Sequence, residues 1–307
     1  MESNRRRGRK SDILRRAWYH LRVSVRDPSR VGTWDAIVVT AASPEQGGLY
    51  TWQMERAKRV GRIAKQTATL AVADPDGHRI GSGAGTLNAL LALSRTIINE
   101  EKGSLVDLIV KKHILLLHAG GDSKRVPWAN PMGKLFLPLP YLAADDPDGP
   151  VPLLFDHILA IASSARQAFQ NQGGLFIMTG DVLPCFDAFT MVLPDDAATI
   201  ITVPVSLDIA SNHGVVVASN SKTSISLVEN LLQKPSFDEL IKHQALLDDG
   251  TTLLDSGIIA VKGKAWVDLV SLACCSQVAI SQLVKTKTEA SHLSASKTVP
   301  FYPSFFP

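Results

Sequence analysis

HILLLHAGGDSKRVPWANPMGKLFLPLP, residues His113 to Pro140, decides how this chain is read. Ile114 to Leu117 is apolar at every position, as in a central parallel strand covered on both faces. Gly120 and Gly121 follow at once, where a backbone can adopt φ > 0 or come close to a ligand. With no β-carbon in the way, amides there can face phosphate oxygens, and Lys124, Arg125 and Lys134 place cationic heads nearby. The run reads as a triphosphate-binding turn on an α/β sheet, or as an ordinary strand-to-loop crossing with solvated basic residues. The residues alone leave both open.

Outward from this stretch, the same alternation of strand and helix recurs. WDAIVVTAAS (Trp34 to Ser43) is a buried strand with a small-residue loop. A helix is expected from Pro44 to about Lys65, with Tyr50, Met54, Ala57, Val60 and Ile63 on one face. TLAVADPDG (Thr69 to Gly77) is a strand closed by a Pro-Asp-Gly turn. In IGSGAGTLNALLAL (Ile80 to Leu93), Gly81, Gly83 and Gly85 precede a helix that Thr86 and Asn88 begin. Amides at a helix start attract anions, so this is a second glycine turn, structural or binding. It is neither G-x-G-x-x-G nor a Walker loop.

Glu100 to Lys112 reads as a polar, Lys-rich link. Leu153 to Phe169 is an amphipathic helix in which His157 is a packing residue. In GGLFIMTGDVLP (Gly173 to Pro184), Leu175 to Met178 forms a strand and Asp181 sits at its carboxyl end. A carboxylate there can hold Mg²⁺ bridging substrate phosphates, or simply cap the next turn. Further strands are expected at Ile200 to Val205, at Gly214 to Ala218 and in TLLDSGIIAVKG, where Asp255 and Gly257 precede the strand proper. A helix from Trp266 to about Lys285 follows. No internal repeat is present.

Bulk properties narrow the class. The chain has 307 residues, 45% hydrophobic and 20% charged, a core-forming composition. No apolar run is long enough for a bilayer, and no secretory signal stands at the start, so a soluble protein without a membrane partner is expected. Cys185, Cys274 and Cys275 show neither zinc spacing nor an even disulfide set, which suits a reducing, cytoplasmic setting. Residues 1–30 hold ten Arg or Lys against three acids, while the remainder is net acidic. RRRGRK (Arg5 to Lys10) is a solvated tail, a nuclear address or the start of a transit peptide. Because the basicity is confined there, a nucleic-acid partner is not expected. From Ser11, a plausible N-cap, Ile13, Leu14, Ala17, Trp18, Leu21 and Val25 recur at helical spacing and predict a docked helix ending near Pro28.

WYHLRVSVR, WDAIVVTAASPEQ, DPDGHRIGSGAGTLNAL, LHAGGDSKRVPWANPMGK, MTGDVLPCFDAF and SNHGVV together resemble the GDP-fucose pyrophosphorylase group of sugar nucleotidyltransferases, in particular its plant bifunctional members. The resemblance covers residues 11–285. It implies an α/β, Rossmann-like (GT-A-like) nucleotidyltransferase fold, with a mixed, mostly parallel sheet and helices on both faces. The implied partners are GTP and L-fucose 1-phosphate, and the implied cofactor is Mg²⁺. By the same resemblance, Gly120, Gly121, Asp122 and Ser123 contact the nucleotide, Arg125 the departing pyrophosphate and Lys134 the α-phosphate and sugar phosphate. Asp181 holds Mg²⁺, and Gly214, Asp255 and Gly257 line the sugar side. Gly81, Gly83 and Thr86 form a second nucleotide-side loop without an assigned ligand.

The implied organisation is a basic tail and docking helix over 1–32, a nucleotidyltransferase domain over 33–285, and a divergent, disordered tail over 286–307. The family's kinase portion has no counterpart in these residues, so no fucokinase chemistry is expected here. The acidic segment expected after Thr286, source of a second Mg²⁺ ligand, has none either. A domain ending short at that point is expected to bind GTP but to turn over poorly or not at all. The competing readings are a non-catalytic nucleotide-binding fragment and a nucleotide-dependent oxidoreductase. The latter lacks its G-x-G-x-x-G.

Overall fold

The computed structural model describes residues 2–100, 105–121, 129, 132–140, 151–219 and 224–275. Strands β1 (Ala36–Ala41), β2 (Ala68–Ala73), β3 (His113–His118) and β4 (Gly174–Thr179) lie parallel in the order β2-β1-β3-β4. Every residue of β1 is buried. Neighbouring residues on a strand point to opposite faces, so burial at each position means that both faces are covered. The apolar runs of β1, β3 and β4 follow from that. β3 sits between β1 and β4, with His118 opposite both Thr40 and Thr179 at the last paired position.

The chain forms two compact units, one reaching Ala197 and resuming at Val261, the other Ala198–Ala260. In the first, α1 (Glu2–Arg26) begins well before Ser11, which lies inside the helix and does not cap it. The run Arg5 to Lys10 is part of that helix; Arg and Lys are good helix formers, and one Gly costs only about 1 kcal/mol. Ala17, Trp18 and Leu21 are buried, as the helical stripe predicts. Helix α2 (Pro44–Arg59) is capped by Ser43, whose Oγ accepts from the Gln46 amide at 3.3 Å. It ends sooner than expected, so Val60 is exposed and Ile63 is buried from the turn beyond. Helix α3 (Gly81–Glu100) is followed by α4 (Leu105–Val110), where a polar link was expected. Ile109 is fully buried; a few apolar residues among lysines suffice to dock a short helix. The Val110 carbonyl accepts from Trp266 Nε1 at 3.0 Å.

Helix α5 (Leu154–Ala165) is buried along its whole length and carries α1. His20 Nδ1 lies 3.4 Å from Ser163 Oγ of α5, and the segment after β4 holds α1 at its margin, Arg16 pairing with Asp187 at 2.7 Å and His20 lying edge-on to Phe189 at 5.0 Å. His157 is buried with Nε2 2.6 Å from the Pro184 carbonyl, a packing role as expected.

The second unit holds β5 (Ala198–Val205), α6 (Leu207–Ala210), β6 (Gly214–Ala218), β7 (Val228–Gln233), α7 (Phe237–Lys242) and β8 (Thr252–Val261). Here β6 runs antiparallel to β7 and to β8, around a core of Ala210, Val215, Val217, Leu240 and Ala245. Strand β7 is largely exposed and was not anticipated, because an edge strand carries no apolar signature. Nor was α7, although Ser236 and Glu239 form a capping box there. Helix α8 (Lys264–Cys275) returns to the first unit; the rest of the helix expected to Lys285, and the tail from 286, lie outside the described residues. Parallel strands in one unit and antiparallel pairs in the other make a mixed α/β architecture, consistent with a Rossmann-like nucleotidyltransferase fold. Among the described residues no helix is long and apolar enough to cross a membrane.

An aromatic cluster fixes the amino end of the parallel strands. Trp34 stacks on Phe176 at 5.9 Å and meets Phe169 edge-on at 5.7 Å. It is buried, and its indole N–H has no partner among the described residues. Trp34→Ala should lower the unfolding free energy by about 3–5 kcal/mol. Trp34→Phe should cost clearly less, since it keeps a ring and removes an unpaired donor. Urea unfolding of both variants checks the order.

Candidate active site

Ligands of α/β sheets bind beyond the carboxyl ends of the strands, and Gly120, Gly121, Lys134 and Asp181 of the expected site residues lie there. Strand β1 delivers Thr40 to Ser43, β3 delivers His118 to Gly121, and β4 delivers Thr179 to Asp181. Gly120 is required by proximity: a Cβ would lie 3.2 Å from the Ala41 carbonyl carbon and 3.3 Å from the Ala42 amide. The turns after β1 and β3 thus touch backbone to backbone. Gly121 has no atom within 4 Å of the place a Cβ would take, and it is exposed. Asp122, Ser123 and Arg125 lie outside the described residues.

Lys134 comes back to this edge from a single 3₁₀ turn, Lys134–Phe136. Its position is set by Gly133, which adopts φ 72 beneath Tyr50; a Cβ there would overlap the Tyr50 hydroxyl. Burial raises the Tyr50 phenol, which stays protonated and donates to the Ala119 carbonyl at 3.0 Å. The Lys134 ammonium reaches the Asp181 carboxylate at 3.3 Å. Asp181 is held in turn by the preceding Gly180, whose amide donates to the His118 carbonyl at 2.8 Å. Two residues singled out separately in the sequence therefore form one ion pair, with the Asp181 side chain 54% exposed. Thr179 Oγ1, at the same strand end, is buried with no hydrogen-bond partner among the described residues.

The second glycine turn requires a correction. Gly81, Gly83 and Gly85 do not precede the helix; they form the first turn and a half of α3, with Gly81 at φ 80. Glycine is a poor helix former, which is why the start was placed later. Thr86 is consequently inside the helix, donating to the Ser82 carbonyl at 2.9 Å. Its hydroxyl also lies 3.1 Å from Nε2 of His118, whose Nδ1 is 3.4 Å from Thr40 Oγ1. His118 was missed by sequence reasoning. The available signal was a polar side chain closing the apolar run HILLLH at the carboxyl end of a strand.

In the second unit Gly214, Asp255 and Gly257 come together. A Cβ on Gly214 would lie 3.4 Å from Asp255 Cβ, and Asp255 Oδ1 accepts from the Gly257 amide at 2.8 Å. Both Asp255 and Gly257 lie within β8, not before it, and Gly257 has φ 70. Glycine placed mid-strand in the left-handed region hid the length of the strand. No group of three His, Cys, Asp or Glu suited to a metal occurs among the described residues. Mg²⁺ needs only one or two carboxylates when phosphates and water complete its shell, and the half-exposed Asp181 fits that need.

Residues 106–295 match the Fucose pyrophosphorylase domain. Over 95% of its length the chain is 63% identical to the bifunctional fucokinase/GDP-fucose pyrophosphorylase of Arabidopsis thaliana, covering 29% of that protein. Over 71% it is 25% identical to the human fucose-1-phosphate guanylyltransferase, covering 35% of it. Over 68% it is 27% identical to the L-fucokinase/L-fucose-1-P guanylyltransferase of Bacteroides fragilis, covering 21%. The chain thus spans about a third or less of each relative.

Burial pushes His118 down to about 4 from an ordinary 6.5. Between those values the unfolded chain binds a proton that the folded chain refuses, so stability must fall as pH drops from about 6.5 toward 4. His20 and His157, also lowered by burial, act in the same direction. His118→Gln should remove only its own share and flatten the slope in that window, as urea unfolding at a series of pH values would report.

Proposed function

The chain belongs to the fucose pyrophosphorylase family, and from that premise we propose that it acts as a fucose-1-phosphate guanylyltransferase. The reaction joins GTP and L-fucose 1-phosphate into GDP-L-fucose and releases pyrophosphate. The observation that carries the proposal is the Lys134–Asp181 pair at the carboxyl ends of the parallel strands, beside the open Gly120–Gly121 turn.

A phosphate oxygen of the sugar phosphate attacks the α-phosphorus of GTP, a new P–O bond forms, and the α–β bridging bond breaks to release pyrophosphate. The attacking oxygen is already anionic, so no protein nucleophile or strong base is needed. What the protein must supply is alignment and charge neutralisation. Lys134 offers an ammonium to the α-phosphate and the sugar phosphate, and Arg125 is assigned to the leaving pyrophosphate. Gly120 and Gly121 let the backbone approach the nucleotide. Asp181 is the residue that would hold Mg²⁺, which when bound neutralises phosphate oxygens. Gly214, Asp255 and Gly257 are assigned to the sugar. Cys185 and Cys274 are thiols rather than disulfide sulfurs, which suits a cytoplasmic setting.

Lys134 and Asp181 are partly exposed, so their pair contributes under about 1 kcal/mol to stability. Lys134→Ala should therefore leave unfolding almost unchanged while cutting GDP-fucose formation roughly 10²–10³-fold. GTP with Mg²⁺ should raise the melting temperature more than GTP alone, and Asp181→Asn should abolish that difference. An undiminished rate for Lys134→Ala, or wild-type protein indifferent to GTP in the melt, contradicts the proposal.

A further inference from the structure

His118 is not needed by the phosphoryl chemistry above, yet its neighbours dictate where its proton must sit. Thr86 Oγ1 gives its hydrogen to the Ser82 carbonyl at 2.9 Å, so toward Nε2, 3.1 Å away, it presents only lone pairs. Nε2 must then carry the imidazole hydrogen and donate it to Thr86. In a neutral ring this leaves Nδ1 an acceptor. On that side Thr40 Oγ1 accepts from the Ala119 amide at 3.2 Å, which leaves its own hydrogen available to an acceptor Nδ1, 3.4 Å away.

The outcome is one directional chain: Ala119 amide to Thr40 hydroxyl, Thr40 to Nδ1, Nε2 to Thr86 hydroxyl, Thr86 to the Ser82 carbonyl. With the hydrogen on Nδ1, Thr86 would have to turn away from the Ser82 carbonyl to donate to Nε2, and Thr40, accepting from both the Ala119 amide and Nδ1, would find no acceptor among these groups for its own hydrogen. The backbone of α3 closes on the ring as well, since a Cβ on Gly85 would lie 3.7 Å from its Cε1. At one end of the chain Ala119 precedes Gly120; at the other, Ser82 lies between Gly81 and Gly83.

We infer that His118, as the neutral Nε2–H tautomer, is a positioning residue that locks the first turn of α3 onto the Gly120–Gly121 turn, so that both glycine turns face the nucleotide as one surface. The nucleotide in this statement rests on the guanylyltransferase reading; the locking of the two turns rests on the hydrogen-bond geometry alone.

Two measurements test it. Long-range ¹H–¹⁵N correlation spectra of the imidazoles at pH 7, with His118 identified by its loss in His118→Gln, should show the Nε2–H pattern. An Nδ1–H or doubly protonated ring overturns the inference. Thr86→Val should raise KM for GTP roughly 3- to 10-fold, the worth of one hydrogen bond, while KM for fucose 1-phosphate stays put and Thr86→Ser restores the first. Thr40→Val, which cuts the chain at its other end, should raise the same KM, so the test does not depend on one variant folding. Equal rises in both KM values, or no rescue by Thr86→Ser, would mean a loosened fold and would also overturn it. Wild-type protein inert toward GTP would sink the guanylyltransferase reading, and the tautomer would then decide the locking on its own.

Discussion

Everything at the candidate site depends on β3 being paired on both sides in parallel. A strand held between two neighbours has all its amides and carbonyls committed and both its faces buried, so polar chemistry is pushed to its carboxyl end. His118 stands at that limit. Its backbone is still paired, opposite Thr40 on one side and Thr179 on the other, and its carbonyl takes the amide of Gly180, the residue before Asp181. One main-chain bond thus links the turn after β3 to the carboxylate after β4. The same sheet that excludes water from Ile114 to Leu117 delivers the glycine turn, the ammonium and the acid to one edge.

The weak interactions there matter for geometry more than for stability. A half-exposed Lys–Asp pair contributes little to folding. The backbone contact of Gly120 with Ala41 and Ala42, and the Tyr50 hydroxyl on the Ala119 carbonyl, are what fix the turn. Tyr50 is fully buried and serves two purposes, packing against Phe136 at 5.2 Å and holding a carbonyl at the site. Core and site are continuous at that residue.

Strands buried on both faces were legible in the sequence because only burial on both sides favours an apolar residue at every successive position. IVVTA, ILLL and LFIM all fell where the runs put them, and Gly120, Lys134 and Asp181 could be placed at strand ends from their spacing to those runs. Features resting on tertiary contacts were not legible. The start of α3 was misjudged because three glycines argue against helix locally, while the packing of Gly85 and Thr86 on His118 overrides propensity. Strand β7 was missed because it lies at an exposed edge and has no burial to impose a pattern. His118 escaped notice because a lone histidine after a strand is ordinary until its two hydroxyl partners, distant in sequence, are seen beside it.

The docking of α1 on α5 has a consequence for the order in which the molecule is made. Trp18 and Leu21 leave the ribosome long before Leu154–Ala165, which at 5–20 residues per second means a wait of roughly seven to thirty seconds. Throughout that time the apolar stripe of α1 has no partner. The ten basic residues among the first thirty give the waiting helix a strong like charge, which repels copies of itself on neighbouring nascent chains. When α5 arrives, Asp187 follows close behind and takes up Arg16. Like charge and apolar stripe thus sit on one helix, and the stripe meets its partner only once α5 has been made.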